Sequence, residues 1–235
     1  MKTSNKILLI FFVAALLMMT AIHLTLYAKY KRGEVSSFQD IREGRFEEHP
    51  LPAIKYVSVT GLRRCNILPS TESKIRIFRM KESRLKYTIL NDTLFITGDS
   101  TYTMQDFEHG YAVNRTVNLY LPGVERVDAF YTGLSLSGGT DSMTAVSCSV
   151  NLSKRSDLNV GEWGKPNFFN HLQVKADGSS ASLADKTIIN ELNLQADKSQ
   201  IDNRAEIKHL QLQMDDQSTI VLRGNTLKDI NVIKK

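Results

Sequence analysis

Apolar and polar residues alternate strictly in six short segments of the second half of the chain. Alternation with a period of two is typical of a β-strand that buries one face. The segments begin 23, 22, 20, 18 and 20 residues apart, at Val127-Asp128-Ala129, Val150-Asn151-Leu152, Leu172-Gln173-Val174, Leu192-Asn193-Leu194, Leu210-Gln211-Leu212 and Ile230-Asn231-Val232. A spacing near twenty with one strand in each period is typical of a solenoid, in which successive coils stack.

Two further apolar clusters recur within each period. The second cluster follows a corner, at Leu134 and Leu136, Leu158 and Val160, Ala181 and Leu183, Ile201, and Ile220 and Leu222. The third is found at Ile188, Ile207 and Leu227. Two or three strands per coil around a narrow apolar core predict an all-β fold, a right-handed parallel β-helix, because parallel crossovers are right-handed. We expect this domain to cover residues 54–235, with regular coils from residue 127.

The region before residue 127 also has a strand pattern. Short apolar runs between turn residues predict strands at Tyr56–Val59, Cys65–Leu68, Lys74–Phe78, Leu85–Ile89, Asp92–Thr97 and Val113–Leu121. Residues 31–53 instead carry alternating charges and end in Pro50-Leu51-Pro52. We interpret residues 31–53 as a mobile or weakly helical stalk that the prolines terminate.

The N-terminal segment is long and apolar. Residues 7–27 contain no formal charge, and a helix of 21 residues is about 30 Å long, enough to cross the hydrocarbon core of a membrane. We predict an uncleaved transmembrane anchor over residues 1–30. A cleaved signal peptide is the alternative, since Lys2 and Lys6 supply its positive end.

The orientation of this anchor depends on charges at both of its ends. Lys29, Lys31 and Arg32 compete with the two lysines at the start of the chain. We expect the bulk of the chain outside the cytoplasm, as a periplasmic or surface domain, and a cytoplasmic domain is the alternative.

The net charge of +5 does not indicate nucleic acid binding. Residues 1–32 contain five basic residues and no acidic one, so residues 33–235 hold 25 basic and 25 acidic side chains. The folded part is formally neutral, and the composition therefore predicts no nucleic acid partner.

Polar residues of the repeat would form two columns along the stack. One outward row holds Asp128, Asn151, Gln173, Asn193, Gln211 and Asn231, and it is either a flat binding face or, as we favour, an amide ladder bonded along the stack. The second column, Asp177, Asp197 and Asp215, could attract Ca²⁺, but aspartate equally closes turns with its own side chain. We predict no metal site.

No constellation of catalytic residues is evident. His23, His49, His109, His171 and His209 lie in the anchor, the stalk or scattered turns, without metal-ligand spacing. Cys65 and Cys148 are expected to be buried free thiols rather than a disulfide. No phosphate loop, nucleophile elbow or zinc motif occurs, so we predict a protein that is not an enzyme and has no cofactor.

One insertion departs from the repeat and supplies the candidate binding residues. Residues 161–170 hold Trp163, Phe168 and Phe169 between glycines and a proline. Insertions in solenoids form loops, often on the binding side, and packed aromatic residues dominate contact energies. These three residues are our candidate partner-binding residues. In the alternative, which we favour, Phe168 and Phe169 fold back onto the coil as its third strand and Trp163 covers a seam.

The segment Val113–Gly139 and the corner Ala176-Asp177-Gly178-Ser179-Ser180 resemble the putative auto-transporter adhesin head GIN domain family of Bacteroidetes-type bacteria. The resemblance implies a right-handed β-helix at the cell envelope and no catalytic residues. The family's corner glycine is present at Gly133 and Gly178, but later corners carry Lys198 and Asp216, which disfavour a tight left-handed corner.

These observations together predict a membrane-anchored, extracytoplasmic, non-catalytic binding or adhesion module of the bacterial cell envelope. Its expected partner is an unknown envelope protein or glycan, and we expect a monomer. The alternatives are an envelope scaffold that assembles end to end through its coils and, less favoured, an enzyme that acts on polysaccharide.

Overall fold

The computed structural model describes residues 3–31, 46–78, 85–98, 116–162, 164–223 and 227–234. The chain divides into two compact units, residues 1–46 and 47–235. The first unit contains helix α1, Thr3–Lys31. Strands in the described ranges are β1 (Phe46–Pro50), β2 (Tyr56–Thr60), β3 (Arg64–Pro69), β4 (Lys74–Phe78), β5 (Lys86–Leu90), β6 (Thr93–Thr97), β7 (Thr116–Leu121), β8 (Arg126–Phe130), β9 (Gly133–Leu136), β10 (Val146–Ser153), β11 (Asp157–Val160), β12 (Asn167–Asp177), β13 (Ser180–Leu183), β14 (Thr187–Asp197), β15 (Gln200–Asn203), β16 (Glu206–Met214), β17 (Thr219–Leu222) and β18 (Leu227–Lys234).

Helix α1 is long and apolar enough, by length and composition, to cross a membrane over Leu9–Lys29. Two of its threonine hydroxyls donate to backbone carbonyls one turn earlier, Thr20 Oγ1 to Leu16 and Thr25 Oγ1 to Ala21, both at 2.7 Å. A hydroxyl bonded in this way needs no water, which suits a hydrocarbon environment. The helix fits a membrane anchor or a signal sequence.

The strands form two nine-stranded sheets. Sheet A has the order β1-β4-β7-β3-β9-β11-β13-β15-β17, and sheet B has the order β18-β16-β14-β12-β10-β8-β2-β6-β5. From β7 to β18 successive strands of the chain lie alternately in sheet A and sheet B. From β8 onward, each strand pairs in parallel with the strand two places later in the chain, which lies in the same sheet. The prediction of an all-β domain after an N-terminal helix is confirmed.

Both sheets are mixed, because antiparallel pairs occur near one end of the stack. Strand β4 pairs antiparallel with β7, and β5 pairs antiparallel with β6. The β5–β6 hairpin turns at Asn91, whose φ of 55° lies in the left-handed region that asparagine tolerates. This turn lies between the two strands predicted at Leu85–Ile89 and Asp92–Thr97.

Apolar side chains of successive sheet B strands form continuous buried columns. One column consists of Val127, Val150, Val174, Leu194 and Leu212, each in register with the next and at most 5% exposed. Burying such a side chain stabilises the fold by about 1.5–3 kcal/mol. A single strand cannot bury this face alone, so the columns hold the stack together.

The register at one step differs from the predicted repeat. Val150 pairs with Val174, and Leu172 pairs with Cys148, so the prediction that aligned Val150 with Leu172 is wrong by two residues. A shift of two leaves every side chain on its own face, because successive side chains point to opposite faces. Hydrophobic alternation therefore could not detect the error. From Leu172 to Ile230 the predicted register is confirmed.

The third apolar cluster is displaced by one residue at its first member, whereas Ile207 and Leu227 are in register as predicted. Ile189, not Ile188, is buried and pairs with Ile207, which pairs with Leu227. Two consecutive outward residues, Asn190 and Glu191, separate Ile189 from Leu192. This pair interrupts the alternation within β14, which is why a strict period of two placed the cluster one residue too early.

Residues Phe46–Pro50 belong to strand β1 of sheet A rather than to the predicted stalk. Glu48 on β1 lies 3.1 Å from Lys74 Nζ and 3.3 Å from Arg76 Nε on β4. Leu51, between the two prolines, is buried, and its backbone N–H donates to the Ser73 carbonyl at 2.9 Å. Of the other residues of the predicted stalk, the structure describes only Lys31 and residues 51–53, and residues 32–45 lie outside the described residues. Residues 113–115, which were predicted as the start of a strand, also lie outside them.

Candidate functional site

The corner that leads from sheet B to sheet A repeats a left-handed backbone conformation. The φ angles at this position are 47° at Tyr131, 61° at Arg155, 55° at Gly178 and 49° at Lys198. The expectation that lysine would disrupt the tight corner is wrong, because Lys198 adopts it. The side chains of Tyr131, Arg155 and Lys198 are thus presented at equivalent places of the stack, with Gly178 at the corner between the last two.

Gly133 has another role than the predicted corner glycine. A Cβ atom at Gly133 would lie 2.2 Å from the Arg63 carbonyl oxygen, so the position requires glycine for close approach of the two backbones. The left-handed residue of this corner is Tyr131, two residues earlier.

Behind the corner lies a buried column of hydroxyl side chains, here called the serine column: Thr132, Ser156, Ser179, Ser199 and Ser218. Each backbone N–H donates to the hydroxyl of the next member, over 3.2 Å from Thr132 to Ser156, 3.3 Å from Ser156 to Ser179, and 3.2 Å for the last two pairs. Buried N–H groups require such partners. The column therefore fixes the corner backbone of every turn relative to the next.

An elongated groove of about 730 Å³ runs along these corners. We call it the corner groove, and two rows of residues line it. The strand row consists of residues in parallel register, Gly133, Asp157, Ser180, Gln200 and Thr219. The corner row stands two residues before each of these, at Tyr131, Arg155, Gly178, Lys198 and Gln217. Four strand spacings of about 4.8 Å give the groove a length of roughly 19 Å.

The lining of the corner groove is polar and predominantly cationic. Arg63, Arg155 and Lys198 contribute positive charges, and Asp157 is the one carboxylate among the described lining residues. One oxygen of Asp157 accepts a hydrogen bond from the Ser180 hydroxyl. Within the described part of the chain, the side chains of Arg63 and Lys198 form no ion pair.

The predicted aspartate column is present beside this groove. Asp177 and Asp197 are in register, and the Asp215 carboxylate accepts from the Lys198 backbone N–H at 3.2 Å and from the Ser218 hydroxyl. These donors, first of all the Ser218 hydroxyl, lower the pKa of Asp215. Asp215 thus closes a turn with its own side chain, which is the role that the sequence offered as the alternative to Ca²⁺ binding. In the described residues no group of three or more His, Cys, Asp and Glu side chains could hold a metal ion.

Polar residues on the outer face of sheet B bond along the stack. Asn151 Nδ2 donates to Asp128 Oδ1 at 2.6 Å, and Ser149 Oγ donates to Gln173 Oε1 at 3.2 Å. Because of the two-residue shift, Gln173 continues the column of Ser149, and Asn151 is followed by Lys175. The predicted single row is therefore wrong at this step. The bonds observed are those expected of a ladder.

Two histidines for which the sequence predicts scattered turns lie on strands β12 and β16, which flank β14. His171, Glu191 and His209 are in parallel register on β12, β14 and β16. His171 Nδ1 lies 3.2 Å from Glu191 Oε2. Each of the three directly precedes a leucine of the repeat, which is the signal that could have placed them together.

The three candidate partner-binding residues differ in burial and in whether the structure describes them. Trp163 lies outside the described residues. Phe168 and Phe169 belong to strand β12, Phe168 half-buried and Phe169 only 1% exposed. The prediction that Phe169 is available to a partner is wrong, because its ring is part of the core. The alternative, a strand formed by both phenylalanines, describes them correctly.

Cys65 and Cys148 are buried free thiols, as expected. Burial raises the pKa of each to about 12, because the surroundings disfavour a thiolate. Cys65 is 0% and Cys148 4% exposed, so both thiols are largely shielded from reagents in solvent.

The corner groove was not predicted from the sequence, although a signal for it exists. A serine or threonine lies two residues before the first apolar residue of each second cluster. These residues are Thr132, Ser156, Ser179, Ser199 and Ser218. Aligning the repeats on these hydroxyl residues would have brought Tyr131, Arg155, Gly178 and Lys198 into one row.

No family model matches the chain, and no curated protein matches it. It is similar to crystal structures described as a "putative adhesin" from Parabacteroides distasonis ATCC 8503, a "putative adhesin" from Parabacteroides merdae ATCC 43184 and a "putative lipid binding protein" from Parabacteroides distasonis ATCC 8503. Their identities are 10%, 13% and 13%, and their TM-scores 0.41, 0.34 and 0.35. Each covers 81% of this chain, over 93%, 91% and 93% of its own length. The resemblance to the GIN domain family stays a prediction.

Proposed function

We propose that this chain is a non-catalytic binding module of the bacterial cell envelope, anchored by α1 with its β-domain outside the cytoplasm, and that the corner groove is its binding site. The observation that carries the proposal is the groove itself. Its rows are spaced by the strands of sheet A, so it offers equivalent polar groups at regular intervals. An extended polymer such as a glycan suits a groove of this shape better than a compact small molecule does.

The proposed architecture behind this site is a right-handed parallel β-helix. Strands alternate between two sheets, and neighbours within each sheet are parallel over most of the stack. Each turn of the chain must then return to its starting side in the same direction, and such connections are right-handed in almost all proteins. The solenoid forms a rigid support for a groove that crosses its coils.

The composition of the groove supports a binding role over hydrolysis. Glycoside hydrolysis in most families requires a pair of carboxyl groups on either side of the scissile bond. Asp157 is the one carboxylate among the described residues that line the groove, and Ser180 already donates to it. Tyr131, which is 52% exposed, instead offers an aromatic surface against which a sugar ring can pack.

The binding role is tested with full-length protein in detergent and the polysaccharide fraction of bacterial envelopes. We expect the protein to co-sediment with this fraction and Tyr131→Ala to weaken retention at least fivefold, since aromatic anchors dominate contact energies. Phe95→Ala, which removes a 40% exposed aromatic residue on β6, is the matched control and should bind normally. Equal retention of the two variants would refute the groove as the site, and release of new reducing ends would refute a non-catalytic role.

The membrane location is tested separately in cells. Mass spectrometry of the membrane fraction should find a chain that begins at or near Met1, and protease added outside the inner membrane should digest the β-domain. A chain that begins near Lys29 would establish a cleaved signal. A β-domain protected from this protease would establish the opposite orientation.

A structural scaffold that assembles end to end is the second candidate. Strands β17 and β18 are the outer strands of the two sheets at the same end of the stack. On β17, Val221 and Leu222 are 37% and 38% exposed. Unpaired parallel strands with apolar side chains are a template for association. Light scattering in detergent distinguishes a monomer from concentration-dependent oligomers, and Leu222→Lys should dissolve oligomers that use this end.

A further inference from the structure

The corner groove combines three features that together specify the charge of its ligand. The first is the spacing of its cations. Arg155 and Lys198 occupy equivalent left-handed corner positions on either side of Gly178, whose carbonyl accepts from the Arg155 backbone N–H at 2.9 Å. Two strand spacings separate the two cations along the stack, or roughly 10 Å between their Cα positions.

The second feature is the space between these cations. A Cβ atom at Gly178 would meet no heavy atom within 4 Å. The corner row therefore has an open place at its centre, with a positive side chain on each side. An anionic group that enters there can be contacted by both cations, and charge-assisted hydrogen bonds are the stronger ones.

The third feature is the separation of charge between two neighbouring pockets. Asp177, Asp197 and Asp215 line a smaller pocket of about 170 Å³ with Lys175, on the sheet B side of the corner. The corner groove is lined by three basic side chains and one carboxylate, Asp157, which accepts a hydrogen bond from the Ser180 hydroxyl. A formally neutral domain thus contains a cationic groove, which the balance of charge over the whole domain conceals.

We infer that the corner groove binds an acidic polysaccharide and holds a carboxylate or sulfate group of that chain between Arg155 and Lys198, in the open place at Gly178. The inference rests on the proposed function and adds the class of glycan. Ser180, Gln200 and Thr219 of the strand row supply hydroxyl and amide groups for the sugar hydroxyls. Tyr131 supplies the aromatic surface at one end of the row, and Arg63 adds a third cation near that end.

The test uses three polymers with the same backbone: dextran, carboxymethyl dextran and dextran sulfate. Affinities for full-length protein in detergent are measured by isothermal titration calorimetry at 50 and 300 mM salt. We expect the charged polymers to bind at least tenfold more tightly than dextran at the lower salt, and this difference to shrink at the higher salt as the charges are screened. Comparison of the two charged polymers distinguishes a carboxylate from a sulfate ligand.

Two variants of Gly178 provide a matched pair. Asparagine and aspartate both tolerate the left-handed conformation, and both have room at this position. Gly178→Asp places a negative charge between Arg155 and Lys198, whereas Gly178→Asn places a neutral side chain of the same shape there. Relative to Gly178→Asn, we expect Gly178→Asp to weaken binding of the charged polymer about tenfold and to weaken binding of dextran by a smaller factor, because only the charged polymer is repelled by the added carboxylate.

The outcomes separate this inference from the proposed function. Equal affinities for all three dextrans, with Tyr131→Ala still weakening retention of envelope polysaccharide, would overturn the inference and leave the groove as a site for neutral glycans. Equal binding of the charged polymers by the two Gly178 variants would overturn it as well, since the anion would then bind elsewhere. Single-stranded DNA that binds as tightly as the charged dextrans, with the same dependence on Gly178, would overturn the assignment to a polysaccharide.

Discussion

The backbone N–H of Ser179 donates to the hydroxyl of Ser199 over 3.2 Å, across one step of the stack. Both residues are less than 10% exposed, so water cannot replace this partner. Ser199 Oγ in turn donates to the Asp197 carbonyl at 2.7 Å. The same arrangement at successive corners links the buried backbone of the fold to the row of side chains that faces the corner groove.

Removal of one hydroxyl from the serine column should destabilise the whole domain. Ser199→Ala leaves the buried Ser179 N–H without its acceptor, and an unsatisfied buried donor costs about 1–3 kcal/mol. Chemical denaturation of the full-length protein in detergent measures the free energy of unfolding. Ser182→Ala, an outward serine of β13, should change it by less than about 0.5 kcal/mol. Equal effects of the two substitutions would contradict a structural role of the column.

The direction of the side chains in β14 gives a second prediction. Leu194 is 1% exposed in the central apolar column, so Leu194→Asp should prevent folding, because an unpaired buried carboxylate costs several kcal/mol against a total stability of about 5–15 kcal/mol. Asn193 points outward, and Asn193→Ala should cost about 1 kcal/mol or less. Circular dichroism of both variants checks this, and similar unfolding midpoints would show that the strand phase is wrong.

The burial of Phe169 predicts a large effect on stability. Phe169→Ala removes a ring that is 1% exposed and should cost about 3–5 kcal/mol. Replacement of Phe168, its half-buried neighbour on β12, by alanine should lower the free energy of unfolding by about 1–2 kcal/mol. Unfolding midpoints compare the two variants. A Phe169→Ala protein that keeps its stability but loses binding would restore Phe169 as a partner-binding residue.

The two buried thiols predict a specific dependence on alkaline pH. The pKa of Cys65 and Cys148 is raised to about 12 in the fold, from an ordinary value of 9.0, so the unfolded chain loses these protons first. The stability that the neutral thiols contribute is complete below pH 9 and declines as the pH rises from 9 towards 12. Unfolding titrations should therefore show a smaller decline above pH 9 for a Cys65→Ala, Cys148→Ala protein.

Native protein should also resist alkylation. At pH 8 iodoacetamide should modify neither thiol of the folded protein within the time that modifies both in denaturant, because the reactive thiolate is scarce and inaccessible. Rapid modification without unfolding, measured by mass spectrometry, would contradict the burial of these residues.

The phase of the strand segments that define the repeat could be predicted from the sequence, because it depends on local alternation, whereas the pair Asn190-Glu191 interrupts the alternation and shifted Ile189 by one residue. Val174, Leu194 and Leu212 are buried as their pattern indicates, and Asn193 faces outward. Burial of one face is a strong physical constraint, since an error of one residue would expose every apolar side chain of the strand. The lateral register between strands carries no such constraint when the error is two residues, and Val150 was therefore assigned to Leu172 instead of Val174.

The sequence by itself determined the alternating strands, the apolar columns of the later turns and the apolar N-terminal helix, because these features depend on the order of residues within single segments. Only the tertiary structure decided that β1 joins sheet A, that Phe169 is core, and that Tyr131, Arg155, Gly178 and Lys198 form one row. Residues of that row are about twenty positions apart in the chain and become neighbours through the register of the strands that follow them. That register depends on hydrogen bonds between strands and on the serine column; the recurring hydroxyl residues mark it in the sequence, but alternation within a single strand does not specify it.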